Sequence, residues 1–445
     1  MMNSQGLKRK VAFYKRSIID WQVFEKHVAN VRQRCLADQL DNANCRKVLN
    51  LCEDHYHFMV CFTASLLEGL TTVMPSNRSQ GEIERLLNVQ EGMRSVDDSD
   101  IENVIQQNLN ASVNAEHIDL NTIPKSFVAA EIYSSGSTGA PTVNPKTWQQ
   151  LVIGAKQVFL RFSLDKHVSV SIIATVPPQH MFGFEMAIIM PLVCGAIIYH
   201  KQPFYPLDVQ QAMCEMPSPR VLVTTPIQLK ACNTINEAWP EIEFVLSATS
   251  PMPENVAKNA EAIMNTAVNE IYGCSEVGAI ATRQMTVNTD WEVLPAYSLK
   301  VDTEAVVLML STQNLPIVLP DTLKMTAERF FRLQGRNIDL IKIGGKRGSL
   351  TDITQQIKSL KGVDDAVVFL PGEEIDQRLR LAALVVAPGM TEKKIREGLK
   401  KNIDPVFLPR PVCIVDSLPY NTMGKLPRNK ILHTYADAIK DRTQC

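Results

Sequence analysis

The residues best suited to chemistry form one run of small hydroxylic side chains, Ser134-Ser135-Gly136-Ser137-Thr138-Gly139-Ala140-Pro141. It follows the apolar stretch Phe127–Tyr133 and precedes a segment with helical character. Glycines let a backbone turn tightly and bring its N–H groups toward a ligand, while serine and threonine hydroxyls add donors. Such a loop suits a polyphosphate. It is not the GxxxxGK[ST] pattern of kinase-like loops. Taken alone, a Ser/Gly run is as readily a surface turn. The ten cysteines, Cys35 to Cys445, show no CxxC pair and no metal-ligand spacing. In a chain of this size they read as reduced cytosolic thiols, and the expected location is cytoplasmic.

The elements that must hold this loop alternate along the chain. Ile18, Trp21, Phe24, Val28, Val31 and Cys35 share one helical face over 18–40. Strands are expected at 47–52, 71–74, 127–133, 169–176, 196–200, 220–224, 243–247 and 268–271, with helices at 57–70, 147–161 and 182–193. This alternation indicates an α/β architecture with mainly parallel sheets. From about 290 to 335 the pattern changes to strands separated by turns, an antiparallel subdomain. A second unit begins near 337, with strands at 366–370 and 382–386 and a charged helix at 391–403.

At 445 residues the chain exceeds one ordinary core, so two or more domains are expected. Apolar residues make up 45% and charged residues 21%, an ordinary globular composition. A formal charge of -1 gives no ground for a nucleic-acid or acidic-membrane surface. The N-terminal Met1–Arg16 is basic, but no apolar core follows it, unlike a secretory signal. The apolar run Met186–Tyr199 is too short to span a bilayer and carries Pro191 and Gly195; it reads as a buried helix-to-strand segment.

The loop resembles the nucleotide loop of the adenylate-forming superfamily, [ST]-S-G-[ST]-T-G-x-P-K, which includes acyl-CoA synthetases, peptide-synthetase adenylation domains and luciferase. The final lysine position holds Thr142; Lys146, four residues on, is the candidate substitute. Further motifs follow in family order. Tyr272-Gly273-Cys274-Ser275-Glu276 is similar to Y-G-x-[ST]-E, in which the tyrosine stacks on adenine and the hydroxyl and carboxylate serve phosphate and Mg²⁺. Mg²⁺ typically takes one or two carboxylates plus substrate phosphates, so Glu276 suits the part. Ser247-Ala248-Thr249-Ser250-Pro251-Met252 resembles the turn against adenine and acyl group, and Glu270 and Ile271 precede the tyrosine in the same nucleotide-binding segment. Asp321 corresponds to the ribose-binding aspartate, although Leu319-Pro320 replaces its usual context, and Arg336 to a ribose or phosphate contact.

Gly335-Arg336-Asn337-Ile338-Asp339-Leu340-Ile341-Lys342 resembles the interdomain hinge, with Ile338 at the usual aspartate. Gly344-Gly345-Lys346-Arg347 resembles the loop that opens a passage for the thiol arm. Leu418 to Arg428 matches L-P-x-(T/N)-x-x-G-K-[ILV]-x-R, which makes Lys425 the lysine bridging carboxylate and α-phosphate. The physical need is plain: an anionic carboxylate attacks an anionic phosphate, and a cation must offset both. The resemblance therefore implies an α/β fold with a large N-terminal domain, 1–336, of parallel-rich sheets, helices and a smaller antiparallel subdomain. It also implies a small mobile α+β C-terminal domain, 337–445. The implied reaction is ATP- and Mg²⁺-dependent activation of a carboxylic acid as its acyl-adenylate, followed by transfer to the thiol of CoA or of a carrier protein's phosphopantetheine.

Pro177-Pro178-Gln179-His180-Met181-Phe182-Gly183-Phe184-Glu185 resembles the segment lining the acyl pocket, with His180, Phe184 and Gly278 as candidate substrate contacts. Set against amino-acid-activating domains, the aspartate that grips an α-ammonium falls at His180. A neutral imidazole supplies no such charge, so an aryl or aliphatic acid is favoured. The short N-terminal region is also similar to ligases found with aryl-polyene and xanthomonadin pigment synthesis. Two other readings stand beside this one: a catalytically silent nucleotide- or acyl-binding protein of the same fold, and an amino-acid-loading domain.

Overall fold

The computed structural model describes residues 9–37, 45–90, 92–107, 116–135, 141–301, 306–310, 313–319, 321–336, 340–343, 346–371, 380–400, 405–421 and 426–443. The chain forms two compact units, Met1–Thr289 with Leu294–Ala296, and Asp290–Val293 with Tyr297–Cys445. The division falls before the antiparallel strands, whereas the hinge motif lies after them.

In the first unit, short β-branched runs flanked by helices bury both faces, which parallel strands require. Ser171–Ala174 and Phe244–Ser247 are buried at every position. The larger sheet runs Ser17–Asp20, Lys10–Tyr14, Ile197–Tyr199, Ser171–Ala174, Arg220–Thr224, Phe244–Ser247, Ala267–Cys274 and Gly278–Arg283. Its first and last pairings are antiparallel and the rest parallel. Ile173, Leu222, Val245 and Val268 meet the helices Pro206–Glu215 and Glu254–Met264 in one core. A second sheet orders Arg94–Val96, Lys47–Asn50, Thr71–Met74 and Val128–Ser135 in parallel, then Pro141–Thr147 antiparallel.

Two local differences from the expected elements have physical causes. The helix expected from 18 starts at Trp21 because the Asp20 side chain caps it, accepting the Val23 N–H at 2.9 Å. Ile18 instead sits in the strand Ser17–Asp20, and the basic N-terminal stretch supplies the neighbouring strand Lys10–Tyr14. The segment Pro141–Thr147, which carries two prolines, is a strand: Thr142 faces Ser134 and Lys146 faces Ala130 across the ladder.

The helix His55–Leu67 is apolar on nearly all sides and fully enclosed. Beside it runs the helical segment Met181–Cys194, whose middle, Phe184–Ile189, is wound as a π-helix. Gly195, at φ 84°, ends that helix and lets the chain turn into Ile197–Tyr199, the helix-to-strand arrangement expected there.

The second unit is antiparallel first and α+β after. Tyr297–Val301, Val306–Leu310 and Gln313–Leu319 form one meander; Asp321–Ala327, Phe330–Arg336 and Trp291–Val293 form another ladder. Farther on, Asp365–Phe369, Ala382–Val386 and Val412–Ile414 make a small mixed sheet packed with the helices Leu350–Lys358 and Glu392–Leu399. The overall class is α/β, as expected.

Candidate active site

Open parallel sheets present ligand-binding loops at the carboxyl ends of their strands. In the first unit these ends are followed by the loops 175–180, 248–253 and 275–277. Ser247 pairs with both Thr224 and Glu270 across the sheet, so the candidate turn and the Tyr272 segment leave adjacent strands side by side. Thr249 is held at φ 82°, a strained setting for a threonine. The hydroxyls of Ser247 and Thr249 are both buried, and among the described residues neither has a hydrogen-bond partner. Buried polar groups without partners are rare, and two at one strand end suit a ligand with polar edges.

The candidate residues Glu270, Ile271, Tyr272 and Gly273 lie on the strand Ala267–Cys274, which folds back through a short hairpin into Gly278–Arg283. The Glu270 carboxylate is 3% exposed and engaged: it accepts from Arg283 Nε at 2.6 Å and from the Met252 N–H at 3.1 Å. Burial pushes its pKa up, and Arg283 and the Met252 N–H oppose the shift. Glu270 therefore anchors the 248–252 turn through its side chain. Tyr272 is buried, and Ser275 and Glu276 reach the surface at the hairpin tip. Burial raises the Cys274 thiol to about 12, so it stays protonated and is not a nucleophile.

His180 caps the helix Met181–Gly183, its Nδ1 accepting the Phe182 N–H at 3.2 Å. An imidazole that accepts at Nδ1 is neutral. Phe184, expected to face the acyl group, is fully buried, with its ring edge-on to Phe62 at 5.1 Å and to Phe58 at 6.0 Å. Gly278 adopts φ 104°, and a side chain there would meet Met181 and Glu185 at about 3.0 Å.

Lys146 has an unexpected setting. It is 1% exposed, and its ammonium donates to the main-chain carbonyl of Glu276. Burial lowers it to about 8, opposed by Cys274, Glu185 and Glu276. In the second unit, Asp321 and Arg336 are direct cross-strand partners, and Asp321 is 6% exposed. Ser134 and Ser135 end the strand Val128–Ser135. Gly136, Ser137, Thr138, Gly139 and Lys425 lie outside the described residues, as do 337–339 of the hinge and Gly344-Gly345.

Glu185 closes the segment resembling the acyl-pocket lining but is not among the candidate site residues. It is 2% exposed, and its Oε2 accepts the Ala279 N–H at 2.9 Å. Burial raises its carboxyl to about 7, opposed by Ala279 and Lys146. The signal was visible: an acid inside the apolar run 181–192 is costly unless it is held.

Among the described residues no group of three or more His, Cys, Asp or Glu stands ready for a metal. A Mg²⁺ held by one carboxylate and substrate phosphates needs no such group, and exposed Glu276 fits that arrangement. Among the described residues, too, no helix is long and apolar enough to cross a membrane.

The family described as AMP-binding enzyme matches residues 29–316. The chain is 27% identical over 302 residues to a 4-coumarate–CoA ligase of Halorhodospira halophila, covering 66% of this chain and 73% of that protein. It is 22% identical over 303 residues to a 3,4-dihydroxybenzoate–[aryl-carrier protein] ligase of Bacillus anthracis, covering 66% and 71%. The fold matches ATP-bound MatB from Rhodopseudomonas palustris with a TM-score of 0.82 at 18% identity, covering 98% and 97%. It matches O-succinylbenzoate coenzyme A synthetase from Bacillus subtilis, in complex with AMP, at 0.80 and 16%, covering 95% of each. The chain belongs to the AMP-binding enzyme family. By class it is an AMP-forming acid–thiol ligase.

Proposed function

We propose that this protein activates an aryl or aliphatic carboxylic acid with ATP, releases pyrophosphate, and passes the acyl group to the thiol of CoA or of carrier-protein phosphopantetheine. The observation that carries this reading is the pair of buried hydroxyls, Ser247 at the end of its strand and Thr249 in the turn after it, which lack partners among the described residues and lie beside the strand of Tyr272. The acid's carboxylate attacks the α-phosphorus, the bond to pyrophosphate breaks, and Lys425 offsets the two negative charges as they meet. Tyr272 and the 247–249 turn hold the adenine; Asp321 and Arg336 hold the ribose. The 134–139 loop receives the outer phosphates. Mg²⁺ at Glu276 supplies further charge neutralisation. The domain 337–445 turns about Arg336–Asp339 to admit the thiol, and the protein works in the cytoplasm. An imidazole at His180, where amino-acid-activating domains carry an aspartate, supports acids without an α-ammonium.

An ATP–pyrophosphate exchange screen over aryl, short and medium-chain acids, with amino acids alongside, tests this. Exchange with aryl or aliphatic acids is expected. Exchange with amino acids alone would replace the substrate class, and nucleotide binding without any exchange would mean a silent member of the fold.

A further inference from the structure

The hairpin tip that carries Ser275 and Glu276 is held from below by two buried ionisable side chains from separate elements. Lys146, on the strand Pro141–Thr147, donates to the Glu276 carbonyl. Glu185, on the π-helical turn Phe184–Ile189, accepts from the Ala279 N–H at 2.9 Å. The two bonds seize the main chain three residues apart, one within the tip and one at the start of the returning strand. The two charges act on each other, but among the described residues they make no contact ion pair, so each is spent on backbone.

The surroundings make room for this arrangement. Glu185 lies against Gly154 of the helix Trp148–Arg161 and against Gly278 of the hairpin. A side-chain carbon at Gly154 would collide with Oε1 and sit 3.2 Å from Cδ, and one at Gly278 would lie 3.1 Å from Oε2. Glu185 lies in the π-helical turn Phe184–Ile189, a winding found frequently at functional sites. Burying an ammonium and a carboxylate is expensive, and among the described residues neither is repaid by a salt bridge. Their geometry finds its use in the backbone they hold.

We infer that Lys146 and Glu185 are positioning residues, a buried clamp that fixes the Ser275–Gly278 tip so that Glu276 meets the metal–nucleotide complex already oriented. This rests on the proposed role of Glu276. It assigns Lys146 to the hairpin instead of to the phosphates, and so accounts for a lysine four places beyond the family position. A clamp acting through hydrogen bonds makes a distinction that charge alone does not. Glu185→Gln keeps the acceptor for Ala279; Glu185→Leu removes it. Lys146→Met keeps the length and removes the donor.

The test measures Mn²⁺ binding in the presence of a non-hydrolysable ATP analogue by electron paramagnetic resonance, amide hydrogen exchange of 272–283, and acid-dependent pyrophosphate exchange. Lys146→Met and Glu185→Leu should weaken Mn²⁺ binding and lower kcat about tenfold or more, the loss expected from one buried charge-assisted bond. Both should speed amide exchange at the tip and leave the KM for the acid nearly unchanged. Glu185→Gln should stay within about threefold of the parent, since its acceptor remains. Should either non-bonding variant fail to fold, the comparison of Glu185→Gln with the parent still decides: an impaired, folded Glu185→Gln overturns the clamp. Parental Mn²⁺ affinity and tip exchange in Lys146→Met also overturn it. A parent protein that exchanges with no acid would instead defeat the proposed function.

Discussion

Gly154→Ala separates the packing around Glu185 from ordinary helix behaviour. In the interior of an exposed helix, replacing glycine by alanine gains about 1 kcal/mol. Here the added methyl falls within collision distance of Glu185 Oε1 and 3.2 Å from Cδ. The carboxyl is enclosed and cannot swing into solvent. It must give up the Ala279 N–H, a bond to a charged group of about 1.5–3 kcal/mol, and overpacking adds about 1–3 kcal/mol. Less the helix gain, the net is a destabilisation of about 1.5–5 kcal/mol. Urea unfolding followed by tryptophan emission reads it, because Trp21, Trp148 and Trp239 lie in the first unit. In a Glu185→Ala background the same substitution should become neutral or stabilising by about 1 kcal/mol. A Gly154→Ala protein more stable than the parent would refute the packing argument.

Three other outcomes are expected. Lys425→Ala should slow adenylation by about 10²–10³ while sparing thiol transfer from a supplied acyl-adenylate; equal loss in both half-reactions, measured separately by rapid quench, would remove Lys425 from the chemistry. Glu276→Gln should raise the Mg²⁺ concentration needed for half-maximal pyrophosphate exchange, and an unchanged metal titration would locate the carboxylate elsewhere. His27, buried and bonded to the Tyr56 hydroxyl at 2.7 Å, is lowered to about 4, first by burial and then by His57. The unfolded chain then takes up its proton first, so its contribution is complete above about pH 6.5 and declines toward pH 4, by up to about 3 kcal/mol. His27→Gln should flatten that part of the stability–pH profile, and an unaltered slope would show that other groups govern it.

The sequence was most legible where one short-range rule decides the outcome. Buried strands such as 220–224 announce themselves as apolar runs, and Gly195 marks the end of a helix that periodicity alone would have run on. Legibility failed where distant groups decide. Pro141–Pro145 contains two prolines, which disfavour a strand, yet it pairs with Val128–Ser135 because an edge strand tolerates proline. The site followed the same division. Tyr272, Ser275 and Glu276 were found from contiguous motifs, whereas the partner of Lys146 lies 130 positions away. Glu185 is defined by Gly154, Gly278 and Ala279, which only the fold assembles around it.

The central claim is that an acid's carboxylate oxygen attacks the α-phosphorus of ATP. Turnover of an active acid labelled with ¹⁸O in its carboxylate, with ATP and CoA or phosphopantetheine, tests it through mass analysis of the nucleotide product. The carbon–oxygen bond breaks when the thiol takes the acyl group, so AMP should carry one ¹⁸O atom and pyrophosphate none. Label in inorganic phosphate together with ADP, or AMP free of label, would contradict the account.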